Sequence, residues 1–199
     1  MGIIIGKSAP TDGKVAIARY LGEHQQKMGM RPIARVAAAT DAAGGGISEG
    51  CRRYTVSLES LNSGNLLADA RPGVWTYMVH DGESVAAELE LEHQQGAGSR
   101  VVASHRGPSG DGTMQGLVTA SQHAPIVEKD YEARVLCSPG IHLFALWFHA
   151  DDDDILMAVP PDMTGLQHNQ PLSPDEVAEY LKPLAETVVA QSSEDETGG

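Results

Sequence analysis

Cysteine is scarce in this sequence, with only Cys51 and Cys137 among 199 residues. Two thiols so far apart cannot supply the disulfide framework of a small secreted domain, nor a C-x-x-C metal or redox motif. With no secretion signal they read as reduced thiols of a cytoplasmic protein. Aromatic residues are equally sparse at 5%. Any core must therefore rest on Leu, Ile, Val, Met and Ala. Long apolar runs are missing too: Met1–Ser8 holds three consecutive Ile, far short of a signal-peptide core or a membrane span. Basic residues are few, 14 against 27 acidic ones, and the formal net charge is −13. Such a balance repels phosphate backbones and anionic membrane surfaces. Neither nucleic acid nor membrane is expected as a partner.

Several sequence motifs fail on spacing. Gly6-Lys7-Ser8 resembles the end of a phosphate-binding loop, but only three residues separate Gly2 from Gly6 where four are needed, and Ala9-Pro10 follows. The eight His form no H-x-x-x-H pair. Neither G-x-S-x-G nor S-x-x-K stands in a strand-to-helix setting. No cofactor is expected.

The 41% hydrophobic content suits a folded domain, and its patterning indicates elements. Lys14–Met28 carries Val15, Ile17, Ala18, Leu21 and Met28 at helical spacing, with Gly29 as a stop. Arg31–Gly46 reads as a loop and Arg53–Leu58 as a strand. Val74–His80, Asp81-Gly82 and Ser84–His93 spell a hairpin, because Asp-Gly supplies the positive φ angles of a tight turn. Closing it on His80 and Glu83 pairs Met78 with Val85, Thr76 with Ala87 and Val74 with Leu89. Trp75, Tyr77, Glu88 and Glu90 then share the opposite face.

Arg100–His105 returns as a third strand. Glycine-rich Gly107–Gly116 reads as a loop, and a short helix follows over Leu117–Ala124. A second meander runs through Tyr131–Cys137, Ile141–His149 and Ile155–Val159. Its middle strand is apolar on both faces and belongs in the sheet interior. Ser173-Pro174-Asp175-Glu176 opens a last helix with a capping box. Val177, Tyr180, Leu181, Leu184 and Val188 form its apolar stripe, and Pro183 should kink or restart it. The expected fold is α+β: an antiparallel meander of six or seven strands, with N- and C-terminal helices packed on one face. One domain spans residues 1–190, and 191–199 form a disordered acidic tail.

Three constellations invite a chemical reading. Asp151, Asp152, Asp153 and Asp154 follow His149 and suggest a hard-cation site. Four consecutive acids in an extended turn cannot converge on one ion, so they read first as a solvated turn. Glu88, Glu90 and Glu92 alternate on one strand, as does the wet side of a sheet. Gly140-Ile141-His142, continuing to Pro160-Pro161-Asp162, resembles the histidine strand of papain-like cysteine hydrolases. That resemblance implies Cys51 as nucleophile and His142 as base. The sequence departs from the family where Cys51 precedes a strand-forming run rather than a helix. No oxyanion-hole Gln lies upstream, and Asp162 falls beyond the strand that would present an orienting group.

With no complete catalytic set, the favoured expectation is a non-catalytic binding or accessory protein, acting through a protein partner or homo-oligomer. Its interface would be Trp75, Tyr77, Glu88 and Glu90, large amphipathic rings beside acids. Cover by a helix is the competing reading of that face. A cysteine hydrolase and a small-molecule-binding sheet–helix cup are the alternatives.

Overall fold

A computed structural model describes residues 2–24, 46–81 and 84–197. In chain order its elements are β1 (Ile3–Ile4), α1 (Gly13–His24), β2 (Gly46–Ile47), β3 (Cys51–Thr55), α2 (Leu58–Ser63), β4 (Arg71–Asp81), β5 (Ser84–Gln94) and β6 (Gly98–His105). There follow α3 (Pro108–Ala120), α4 (Ala124–Val127), β7 (Tyr131–Ser138), a 3₁₀ turn (Pro139–Ile141), β8 (Leu143–Ala150), β9 (Asp153–Ala158) and α5 (Pro174–Thr197). The class is α+β, as the sequence indicates. The nine strands exceed the six or seven expected because β1 and β2 are only two residues long. Pairing is mostly antiparallel, but β1 runs parallel to β7, so the sheet is mixed rather than a pure meander. The chain forms two compact units: an N-terminal one (Ile5–Arg52 and Val74–Asp111) and a C-terminal one (Met1–Ile4, Arg53–Gly73 and Gly112–Gly199).

In the N-terminal unit, β4, β5 and β6 form the expected meander and β2 adds to β4. The hairpin register differs from the expected one. Asp81 pairs with Ser84 and His80 with Val85, but Val79 pairs with Ala87, which leaves Ala86 as an extra residue in a β-bulge. One inserted residue turns the rest of a strand over relative to its partner. Trp75, Tyr77 and Val79 therefore share a face with Leu91, Leu89 and Ala87, not with Glu88 and Glu90. Ile17 and Leu21 of α1 pack on this face and bury it. Val15, expected on the apolar stripe of that helix, is instead 61% exposed. The ends of that helix at 25–28, the loop over 31–45 and the turn at 82–83 lie outside the described residues.

In the C-terminal unit, β8 lies between β7 and β9, and Leu143 through Phe148 are all buried. Trp147, Ala145, Leu156 and Ala158 face α2 and α5, while Leu146, Met157 and Val159 meet Gly116 of α3. The interior position read from this strand's composition is thus correct. Gly107–Gly116, expected to be a loop, mostly lies in α3. Its glycines serve close approach rather than bending: a Cβ on Gly116 would sit 2.6 Å from Val159 Cγ1 and 2.8 Å from Leu146 Cδ1, and one on Gly112 would overlap the Pro160 carbonyl.

The expected strand over Arg53–Leu58 stops at Thr55. Ser57 instead caps α2, accepting the Ser60 N–H at 3.2 Å, and left-handed Gly64 (φ 75°) ends it. Helix α5 opens with the expected capping box: Glu176 Oε2 accepts the Ser173 N–H at 2.8 Å, and Ser173 Oγ accepts the Glu176 N–H at 3.3 Å. The helix runs through Pro183 without a break and reaches Thr197, covering most of the stretch expected to be a tail. Among the described residues no helix is long and apolar enough to cross a membrane.

Two glycine replacements should diverge in sign. Gly22→Ala in α1 meets nothing within 4 Å and should raise stability by about 0.5–1 kcal/mol through helix propensity. Gly116→Ala should lower it by about 1–3 kcal/mol through overpacking, as read from urea midpoints. The Ser173 N–H and hydroxyl hold the Glu176 carboxyl below its ordinary value of 4.5. A depressed folded pKa gives stability that is complete above the unfolded value and fades as pH falls through the folded one. The midpoint difference between wild type and Glu176→Gln should therefore shrink on acidification below about pH 4.

Candidate functional site

Irregular backbone gathers at one corner of the C-terminal unit, where the 3₁₀ turn, the loop after β9 and the start of α5 meet. Pro139 opens the 3₁₀ turn and buried Ile141 anchors it. The next residue, His142, is left-handed (φ 54°, ψ 35°), a conformation costly for a residue with a Cβ. It lies just before β8, not within a strand as expected. Its carbonyl accepts the Met163 N–H at 3.1 Å, tying the turn to the loop. That loop contains the cis Pro160–Pro161 bond.

Asp162 holds the loop together. Its carboxylate is fully buried and accepts the Phe144 N–H at 3.2 Å, the Thr164 N–H at 3.2 Å and the Thr164 hydroxyl at 2.9 Å. His168 Nε2 lies 3.3 Å from the Asp162 carbonyl oxygen. Asn169 follows, also left-handed (φ 62°), and its buried Oδ1 has no hydrogen-bond partner among the described residues. His142 and Asn169 are the non-glycine residues with positive φ in the described chain. Such residues persist only where their surroundings over-determine them, and they concentrate at functional sites.

This corner also presents apolar surface. Met163 is 75% exposed and Tyr180 on α5 is 51% exposed. The Tyr180 hydroxyl reaches the same loop, lying 3.0 Å from where a Cβ on left-handed Gly165 (φ 89°), two residues after Met163, would be. Exposed Asp175, Glu176 and Glu179 stand on the same end of α5. Charge is unevenly divided between the units. The C-terminal unit holds 17 of the 27 acidic residues and 5 of the 14 basic ones, a net −12 of the total −13.

The residues singled out from sequence fare differently. Trp75 and Tyr77 are 5% and 1% exposed, so neither ring offers a surface to a partner. Burial pushes the Tyr77 phenol up to about 12, with Glu49, Asp12 and Cys51 adding to the shift. Glu88 is buried and accepts the Ser109 hydroxyl at 2.5 Å, and Glu90 pairs with His105 at 3.2 Å. Cys51 begins β3 and is 1% exposed, without the helix N-terminus that activates a thiolate.

The Asp151–Asp154 stretch does not converge. Asp152 pairs with Lys129, which holds its carboxyl below the ordinary range, and Asp153 accepts the Tyr131 hydroxyl at 2.5 Å. Asp154 Oδ1 accepts the Trp147 indole N–H at 2.6 Å and lies 2.8 Å from His149 Nδ1. No group of three or more His, Cys, Asp or Glu among the described residues has the arrangement to hold a metal ion.

Two polar clusters were not legible in the sequence. Arg134 stacks over Tyr54 and Trp147 at 5.1 and 4.7 Å while its Nε and Nη2 donate to Glu132 at 2.9 and 2.7 Å. Ser99, His93 and Asp12 share the residue types of a hydrolytic triad, but the wiring differs. Ser99 donates directly to Asp12 Oδ1 at 2.6 Å, and a single His93 nitrogen faces both Ser99 Oγ at 2.9 Å and Asp12 Oδ1 at 3.6 Å. With no imidazole between hydroxyl and carboxylate, the trio is a strap from the residue preceding α1 to the paired ends of β5 and β6.

Comparisons with protein-family models, curated proteins and solved structures return no match.

Replacing Asp162 should test how firmly the corner is built. Asp162→Ala leaves the Phe144 and Thr164 N–H groups without their acceptor and should cost about 2–4 kcal/mol in urea unfolding. Asp162→Asn, which keeps one acceptor oxygen, should cost less. The Cys51 thiol should react with a disulfide reagent at neutral pH no faster than a buried thiol, and a rapid reaction would revive the hydrolase reading.

Proposed function

We propose that this chain is a non-catalytic protein-binding module that docks a cationic amphipathic segment of a partner on the Met163–Tyr180 corner. The observation that carries the reading is the exposure of these two large side chains, at 75% and 51%, within a unit of net charge −12. Tyr and Met are enriched at the centres of interfaces, where buried anchors provide most of the binding energy. The Met thioether adapts its shape to the surface it meets. Around the pair, Asp175, Glu176 and Glu179 would attract and orient a basic segment without having to be desolvated. Asp162 and its hydrogen bonds hold the loop in place before any partner arrives, which lowers the ordering cost of association.

A synthetic Leu/Lys amphipathic helix serves as probe, with a scrambled peptide of equal charge as control. Fluorescence anisotropy should show saturable binding of the amphipathic peptide that weakens with salt. Met163→Ser combined with Tyr180→Ser should raise Kd by roughly tenfold or more, equivalent to about 1.4 kcal/mol, with an unchanged circular dichroism spectrum. Equal affinity of the double variant, or equal binding of the scrambled peptide, would remove this corner as the interface.

A further inference from the structure

The same corner carries a modification site. We infer that Met163 is a target of reversible oxidation by hydroperoxides, and that its sulfoxide switches off docking at this surface, a role that rests on the docking reading above. Three features of the site support it.

The first is selectivity. Met163 is 75% exposed, whereas Met78 and Met157 are 1% and 0% exposed and Met114 is half-buried. Oxidant access follows exposure, so among the described methionines Met163 stands apart. The second is the rigidity of its backbone. The Met163 N–H is held by the His142 carbonyl at 3.1 Å, and the adjacent Thr164 is bonded back to Asp162. This residue is thus presented to solvent by a backbone pinned on both sides, in a loop whose neighbour Leu166 is buried in the core. The third is tolerance. Oxidising a core methionine disrupts packing, but a side chain this exposed can gain an oxygen without disturbing the fold.

The chemistry balances with a hydroperoxide as sole co-reactant. The thioether sulfur attacks the distal peroxide oxygen with a lone pair, forming the S–O bond as the O–O bond breaks. With hydrogen peroxide, the proton of the transferred hydroxyl passes to the departing hydroxide, and water leaves. Sulfur is oxidised by two electrons and the peroxide is reduced by two. The product is polar and chiral, and loses the apolar character that suits Met163 to anchoring a partner. Methionine sulfoxide reductases fuelled by a thiol reverse the step.

The test follows intact protein through a hydrogen peroxide time course, with sulfoxide mapped to each methionine by digestion and mass spectrometry. Met163 should gain one oxygen atom at least roughly tenfold faster than Met114, Met78 or Met157. Affinity for the amphipathic peptide should fall in step with Met163 oxidation and return after treatment with both sulfoxide reductases. The affinity of Met163→Leu, whatever its starting value against wild type, should not change on peroxide treatment, because no thioether remains at that position. Oxidation of Met163 no faster than that of Met157 would overturn the modification site. Full conversion with unchanged affinity, or peroxide sensitivity of the Met163→Leu protein, would overturn the switch. If untreated wild type binds no peptide, the docking reading and the switch both fall, while the site-resolved oxidation rates still decide the modification site.

Discussion

The buried Asp162 carboxylate is the constraint on which the candidate corner depends. Its two oxygens collect the N–H of Phe144 at the start of β8 and both donors of Thr164, so one side chain fixes the strand entry and the loop after β9. A carboxylate out of water is tolerable only when its lone pairs are occupied in this way. The neighbouring bonds, His142 O with Met163 N–H and His168 with the Asp162 carbonyl, close around that anchor. Left-handed His142 is part of that closure through its carbonyl, and left-handed Asn169 is held by its N–H, which donates to the Ala158 carbonyl at 2.9 Å. Exposed Met163 is thus the outer side of a loop held from within by Asp162.

Each unit reaches its core by a different route. In the N-terminal unit, a single bulge at Ala86 sets which residues of β5 lie under α1. Without it Glu88 and Glu90 would be brought beside Trp75 and Tyr77. With it Leu89 and Leu91 take those places, and the aromatic pair becomes core. In the C-terminal unit, glycines let α3 approach the sheet until side chains of β8 and the Val159 segment fill the space a Cβ would need. Glycine's cost in helix propensity is offset there by close packing.

Several elements were legible because their signals are local. The Ser173–Glu176 capping box, the alternation of β5 and the doubly apolar run of β8 all depend on neighbours within a few residues. Helix α2 carried an equally local signal, Ser57 as cap and Gly64 as stop, hidden behind the β-rich run that precedes it. Asp162 was visible as an acid after two prolines, yet its role as acceptor for Phe144, 18 residues earlier, was not.

By itself, the sequence determined the α+β class, the acidic balance, most strand positions and the interior character of β8. Periodicity, turn chemistry and capping need only adjacent residues to express themselves. Tertiary structure alone decided that Trp75 and Tyr77 are buried, that a glycine-rich stretch is a packed helix, and that Asp152, Asp153 and Asp154 pair with Lys129, Tyr131 and Trp147 instead of converging. It also decided that Met163, His142 and Tyr180 share a corner. The physical reason is the same in each case. A bulge changes facing without changing composition, and a close approach or a hydrogen bond between distant residues exists only once the elements that carry them have packed.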